Sequence, residues 1–475
     1  MTCLWSVLLL SLTVGLASCT VGPTYQPPTP HLPATWSAAQ AAEISTEAAT
    51  LAQWWSSFDD PSLTALMTRA MHANHDLRLA VARVREVRAT RGVVAADRQA
   101  QVQTSAAYSR NRRSTNALAL PANLPTDSVE RENDVFQVGF DARWELDLFG
   151  AVRRSIEAAE ADIAAATAAQ AGVLVSLAGE VARQYLELRG AQTQLAITRK
   201  NLTAQQDTLG LTQVRLQAGL STDLDVARAE AQVATTAAQI PSLERQITQG
   251  MHRLSVLLGQ EPEALGSALS PPAPVPPPPP RLFVGLPVAL LERRPDLRQA
   301  ERALAAATAR VGAATAELYP RLSLTGMLGL QSFQLTDLAQ PGSQVWSLGP
   351  AIRWPLFDAG RIRATIQVQD ARQEQALIRY EQAVLNALEE VENALVAYST
   401  EVQRHHTLGL AVESNRRAVS LANTLYTRGL ADFLNVLQAE SALFTVENQY
   451  ILSHTALSTS VVALYKALGG GWEVQ

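Results

Sequence analysis

The sequence predicts a mixed α and β membrane protein built from a duplicated half-domain, each half joining two membrane-spanning strands to one very long helix. An internal repeat carries the first part of that reading. His75-Asp76-Leu77-Arg78 returns as Pro295-Asp296-Leu297-Arg298, and Ala96-Asp97 as Ala316-Glu317, both 220 positions later. Val135, Gly139, Arg143-Trp144, Leu146, Gly150 and Ile156 return 210 positions on as Val345, Gly349, Arg353-Trp354, Leu356, Gly360 and Ile366. The same offset of 210 maps Gly219-Leu220, Ala229-Glu230 and Leu258-Gly259 onto Gly429-Leu430, Ala439-Glu440 and Leu468-Gly469. A period this long exceeds a solenoid unit and reads as two copies of one half-domain. Four short segments of alternating polarity and two long stretches without proline complete the fold class.

At the N-terminus, the apolar run Leu8 to Leu16 is too short to span a bilayer and suits a signal-peptide core. It leads into Leu16-Ala17-Ser18-Cys19, the pattern of a bacterial lipobox, so residues 1–18 are expected to be removed and Cys19 acylated. Met1 to Trp5 departs from such leaders in carrying no Lys or Arg. Cys3 falls inside the leader, so the processed chain keeps one cysteine and no intramolecular disulfide. A net charge of −5 without a basic run excludes nucleic acid as an expected partner. Residues 19–61 are expected to form an extended segment, 62–265 the first repeat, 266–283 a Pro-rich linker, 284–469 the second repeat and 470–475 a tail.

Two strands are expected in the first repeat, at about 100–111 and 134–147, and two in the second, at about 319–332 and 344–357. In the first, Val102, Ala106 and Tyr108 share a face; in the second, Phe136, Val138, Phe140, Ala142, Trp144 and Leu146 oppose Gln137, Gly139, Asp141, Arg143 and Glu145. The third carries Leu322, Leu324, Leu328 and Leu330, and the fourth Trp346, Leu348, Ile352, Trp354 and Leu356. Period-two alternation over about ten residues fits a strand facing lipid on one side and a lumen on the other. A half-buried soluble hairpin alternates in the same way; two duplicated pairs favour the membrane. Closed membrane barrels begin at about eight strands, and an open edge in lipid leaves backbone groups unpaired. Other copies of the chain must therefore complete the sheet.

After each second strand a stretch without proline, 151–218 or 361–428, predicts one helix about 100 Å long. Val384, Leu388, Val391, Leu395, Tyr398 and Val402 form a heptad seam, matched by Leu174, Ala178, Val181, Tyr185, Leu188, Leu195 and Leu202. Gly219 and Gly429 supply left-handed residues that end these helices, and Thr222 or Asp432 is placed to cap the return helices expected over 222–258 and 432–468. Pro271–Pro280 reads as an extended strap.

With these elements in place, the chain resembles the TolC-like outer-membrane efflux protein family, in its lipidated branch serving multidrug pumps. The marks are Cys19 with Val21-Gly22-Pro23-Thr24-Tyr25, Trp54-Trp55 with Phe58, Asp60-Pro61-Leu63, the Asp-Leu-Arg pairs, Tyr319-Pro320, and Tyr426-x-x-Gly429 before Val436-Leu437. The resemblance implies a homotrimer in which four strands per chain complete a 12-stranded barrel, with long helices forming a periplasmic α-barrel. It also implies a passive exit channel in the cell outer membrane, lipid-anchored and membrane-spanning, working with a periplasmic membrane-fusion adaptor and an inner-membrane RND-type transporter. An exit duct for an ABC-driven protein secretion system, or a structural coiled-coil lipoprotein without a pore, remain as alternatives.

No nucleophile-elbow serine, phosphate-binding glycine loop or metal-ligand spacing occurs, so neither an enzyme nor a cofactor is expected. His405 and His406 are adjacent on a helix and diverge by about 100°, which disfavours a shared metal. The resemblance puts a periplasmic gate at the two helix-turn tips. Asp225 and Tyr426 occupy positions whose family counterparts hydrogen-bond between inner and outer helix pairs. Where relatives narrow the pore with rings of Asp, this chain has Asn435 and Gln438, with Asp432 as the substitute acid; Asp223 reads as a helix cap.

Overall fold

The structure, a computed structural model, describes residues 20–37, 51–112, 114 and 132–472. Cys19 and its leader, and most of the loop joining the first two strands, lie outside the described residues. The principal elements run in the order α1 Pro61–Ala73, α2 His75–Ala96, β1 Gln101–Arg112, β2 Glu132–Leu146, α3 Ala151–Gln217, α4 Asp223–Ala237 and α5 Ile240–Leu257. The second half continues with α6 Pro295–Ala316, β3 Arg321–Ser332, β4 Gln344–Arg353, α7 Arg361–Thr427 and α8 Phe433–Ala467. The chain divides into two compact units. One comprises Arg85–Ala165, Glu301–Arg379 and the described residues up to Pro28; the other comprises Thr29–Val84, Ala166–Ala300 and Tyr380–Gln475.

In the first unit the strands form one antiparallel sheet in the order β1-β2-β3-β4. The register sorts side chains by parity. Tyr108 faces Phe136, Phe140 pairs with Leu328, Trp144 with Leu324 and Leu328 with Trp346, so one face is apolar across all four strands. Gln137 opposite Gln331, and Arg143 between Gln101 and Thr325, make the other face polar. The apolar face is not a core: Phe140, Leu328, Trp346, Leu348 and Ile352 are 57, 62, 74, 69 and 73% exposed. Contiguous apolar surface of that extent requires covering by lipid or another protein. The register also brings Gly139 against Gly329 on the polar face, where a Cβ on either would meet the other's Cα at 2.9 Å.

At the helix-proximal end of the sheet, the duplicated tryptophans do duplicated work. The Trp144 indole donates to the Arg98 carbonyl and the Trp354 indole to the Leu318 carbonyl, each at 3.0 Å. Each therefore ties the foot of a strand to the end of the preceding helix, with its ring on the apolar face. An indole with one apolar and one hydrogen-bonded side suits the rim of a bilayer rather than its middle. The fourth strand ends at Arg353 rather than 357, and Trp354 and Leu356 lie beyond it. Pro355, which has no amide hydrogen for a ladder bond, follows directly.

The N-terminal segment is strapped to this same unit. Val21 donates its amide to the Phe149 carbonyl at 3.2 Å. The buried Arg154 guanidinium donates to the carbonyls of Val21 and Gly22 at 3.3 and 3.5 Å, and to Glu157 at 2.7 Å. Gly22, with φ +87°, crosses Gly312 so closely that a Cβ there would overlap the Gly312 Cα. Thr20 packs on Gly150 in the same way, immediately after β2.

The second unit holds the main apolar core, in which Trp54, Trp55 and Phe58 pack with Leu63 and Met67 of α1, Val181 and Tyr185 of α3, Val391 and Leu395 of α7, and Val461 and Leu464 of α8. Asp60 caps α1 by accepting from the Leu63 amide at 2.9 Å and takes the Tyr185 hydroxyl at 2.8 Å. Val384, Val391 and Leu395 of the heptad seam are buried and Leu388 is partly buried, whereas Val402 is 40% exposed. The repeat recurs in the polar contacts. Asn74 donates to the Leu257 carbonyl at 2.9 Å, and Arg294, 220 positions later, donates to the Ala467 carbonyl at 2.8 Å. Each satisfies a carbonyl at the end of a return helix. The Pro-rich strap is extended but not loose, because Val275 within it, and Leu282 and Val284 just after it, are buried in this core.

One further detail departs from the sequence reading. The first return helix is broken into α4 and α5 at Ala238-Gln239, ahead of Pro241, whereas α8 runs on with Ile451 at the corresponding place. A helix-interior proline removes a hydrogen bond and clashes with the carbonyl four residues back. In addition, one 18-residue window of α3 is apolar enough to pass for a membrane span by length and composition.

The register fixes a test of which face meets lipid. Phe140→Arg or Leu328→Arg, at the middle of the apolar face, is expected to cost about 2–4 kcal/mol, and Trp144→Arg, at the rim, about 0–1 kcal/mol beyond the lost indole bond. Gln137→Arg should fold normally. Urea titration of membrane-extracted protein measures this; equal losses for Phe140→Arg and Gln137→Arg would contradict the facing.

Candidate gate at the helix-turn tip

The tip is built twice from one local rule. At the end of α3, Gly219 (φ 73°) directs its amide to the Leu216 carbonyl, and Leu220 donates to Arg215 at 2.8 Å. At the end of α7, Gly429 (φ 72°) donates to Tyr426, and Leu430 donates to Leu425 at 2.9 Å. A glycine in the left-handed region closes each helix by satisfying its last carbonyls.

The restarts differ. Thr222 caps α4 in a reciprocal box: its hydroxyl accepts from the Asp225 amide at 3.3 Å, and the Asp225 carboxylate accepts from the Thr222 amide at 3.2 Å. The Thr222 and Ser221 hydroxyls also donate to that carboxylate, at 2.8 and 3.1 Å. Partial burial disfavours the Asp225 charge, but these donors outweigh it and hold its pKa below the usual value. Asp432 occupies the N-cap of α8 without a side-chain capping bond. Asp432, Asn435 and Gln438 are all exposed.

A small core joins the four helices at this point. Tyr426 of α7, Phe433 and Val436 of α8, and Ala229 of α4 are buried together, with Leu209 of α3 against them. Tyr426 is 4% exposed, 5.7 Å from the Phe433 ring, and its hydroxyl has no hydrogen-bond partner. The Arg215 guanidinium of α3 lies over the Tyr426 ring, 4.5 Å from its centre. Within one chain, then, the Asp225 carboxylate is engaged by its own turn, and Tyr426 is met by Arg215. Arg215 was not singled out from the sequence; its signal is a break in the repeat, since Leu425 stands at the corresponding position.

Behind the tip, the half-buried Glu440 and the buried Glu447 tie α8 to the long helices. Glu440 accepts from the Thr208 hydroxyl at 3.0 Å, and burial pushes its carboxyl pKa up despite the hydrogen bonds from Thr208 and Asn423. Glu447 accepts from Arg416 at 2.8 Å and from Asn201 at 3.3 Å. These pairs fix helix register, since sliding either helix would strand a buried acid.

The fold and tip together define a class: a chain with a two-faced membrane sheet whose long helices each turn back through a glycine-closed tip. The sequence profile of the outer membrane efflux protein family matches residues 66–260 and 286–470, one block for each repeat. The chain belongs to that family. It is 33% identical over 473 residues to outer membrane protein OprJ of Pseudomonas aeruginosa, covering 98% of this chain and 96% of the relative. Identity to the solvent efflux pump outer membrane protein SrpC of Pseudomonas putida is also 33%, over 97% of each chain. Among solved structures, the outer-membrane channel OprN superposes with a TM-score of 0.88 at 39% identity, covering 96% of this chain and 100% of that one. The open state of the Neisseria gonorrhoeae MtrE outer membrane channel gives 0.82 at 28%, covering 96% and 99%. The protein is an outer-membrane exit channel of a tripartite efflux pump, with a large periplasmic helical part, an inner-membrane transporter and an adaptor as partners.

The cap at Thr222 sets the local stability of the tip. Thr222→Ala should cost about 0.5–2 kcal/mol, seen as faster amide exchange confined to the start of α4. Because the Asp225 pKa is depressed on folding, its contribution is present at neutral pH and is lost as pH falls through the acidic aspartate range. Exchange at α4 should therefore quicken in acid in the native protein, while an Asp225→Asn variant should be insensitive to the same change.

Proposed function

We propose that three copies of this chain close a 12-stranded barrel and a periplasmic helical duct, through which drugs and other small organic molecules pass without energy input from the chain itself. The observation that carries this reading is the open sheet. β1 and β4 each have one unpaired edge, and the sheet bears a continuous apolar face. Such edges are not tolerated in hydrocarbon. Three sets of four strands make a closed barrel of ordinary size. A small-molecule cargo is supported by relatives named as solvent and toluene efflux pump proteins, and an RND-type transporter with a membrane-fusion adaptor is the matching source of energy and connection. Purified protein should run as a trimer by mass measurement in detergent and form channels in planar bilayers. Another oligomeric order, or a folded oligomer that passes no current, would remove this reading.

The gate belongs to this proposal. Asp225, Tyr426, Asp432, Asn435 and Gln438 are assigned to the constriction at the helix-turn tips, with the exposed Asp432, Asn435 and Gln438 toward the pore and the buried Tyr426 behind them. Support comes from the shared small core, which makes the packing of α3 and α4 depend on that of α7 and α8.

Lipidation at Cys19 completes it. Thr20, the next residue, packs on Gly150 directly after β2, which is where an acyl chain on residue 19 would reach the bilayer rim. Mass spectrometry of the mature N-terminus is expected to find a triacylated Cys19, and no acyl mass in Cys19→Ser. An unmodified residue 19 or a retained leader in the wild type would end the lipoprotein assignment.

A further inference from the structure

We infer that Arg215 is the positioning residue of the gate, holding Tyr426 by the face of its ring rather than by its hydroxyl. This rests on the tip being the gate. The Tyr426 hydroxyl is buried without a hydrogen-bond partner, and Asp225 is already occupied by Ser221 and Thr222, so the hydroxyl carries no link within the chain. The ring does carry one: the Arg215 guanidinium sits 4.5 Å from its centre. The Arg215 Nε is itself buried and without a hydrogen-bond partner, and among the described residues no carboxylate forms an ion pair with this arginine. Arg215 is half-buried, and a partly desolvated cation over an aromatic face gains more from cation–π attraction than a fully exposed one.

The position of the pair gives it a role. Arg215 lies in the last turn of α3, where its charge also favours the carbonyl end of the helix. Tyr426 lies in the last turn of α7. The contact thus joins the long helix of one repeat to that of the other, and Leu425 at the place corresponding to Arg215 means that it is made once per chain. Any motion that separates the two repeats at the tip must draw the ring off the guanidinium. A single contact of this size is small enough for a partner's binding to overturn.

Four variants separate ring from hydroxyl and cation from bulk. Arg215→Met keeps the length of the stem but not the charge, and Arg215→Lys keeps the charge. Tyr426→Leu removes the ring, and Tyr426→Phe removes only the hydroxyl. With full-length protein in planar bilayers, Arg215→Met and Tyr426→Leu should raise open-state occupancy about tenfold and sensitise cells to vancomycin. Arg215→Lys should remain mostly closed. Tyr426→Phe should be as closed as the wild type or more so, because it relieves a buried unpaired hydroxyl. Size-exclusion profiles in detergent check that each variant assembles. If Tyr426→Phe opens as far as Tyr426→Leu, the hydroxyl holds the gate and the inference is overturned. If Tyr426→Leu opens and Arg215→Met does not, the gate stands but Arg215 is not its holder. If every assembled variant stays closed, the constriction itself lies elsewhere.

Discussion

A backbone N–H or C=O left without a partner in hydrocarbon costs several kcal/mol, and no side chain can compensate along a whole strand edge. That constraint governs the strand-bearing unit of this protein. The sheet in the order β1-β2-β3-β4 satisfies its internal backbone groups and leaves two edges over. Four strands are too few to curl round and meet, and in the proposed trimer neighbouring copies supply the missing partners. The apolar stripe from Tyr108 through Phe140 to Trp346 and the polar row through Gln137 and Gln331 then acquire an outside and an inside.

The helical unit obeys the same accounting by a different route. Helix ends leave carbonyls and amides unpaired, and the duplication solves this twice. Asn74 and Arg294 each reach the final carbonyls of a return helix, and Gly219 and Gly429 each close a long helix. Trp144 and Trp354 do the equivalent in the other unit, by binding the carbonyls of Arg98 and Leu318. Residues of different type perform the same task in the two repeats, as Asn74 and Arg294 do, so the conserved quantity is the satisfied carbonyl and not the side chain.

Where the repeats part company, the difference has physical consequences. Pro241 breaks the first return helix while Ile451 lets the second run unbroken for 35 residues. Thr222 and Asp225 lock the first restart with a reciprocal cap, and Asp432 leaves the second without one. Arg215 faces Tyr426 from a position where the other repeat has leucine. Two of these asymmetries, the cap and Arg215, distinguish the two halves of the tip.

Much of this fold was legible before any coordinates. Repeat offsets, strand polarity and the absence of proline over 151–218 and 361–428 are local properties of the chain, and backbone sterics and hydrogen bonding turn them directly into two long helices, glycine stops and two-faced strands. The start of β2 at Glu132 and the early end of β4 at Arg353 moved only the margins. The partners of polar atoms were not legible, because they depend on residues distant in sequence. Nothing near Tyr426 in the chain announces Arg215, which lies 211 positions away, and nothing near Val21 announces Arg154. The sequence did not show that Asp225 would join the capping box of Thr222, whose donors, with that of Ser221, lie within reach at little cost in chain entropy. Short-range rules determined the elements of this protein, and only the tertiary structure decided which charge meets which ring.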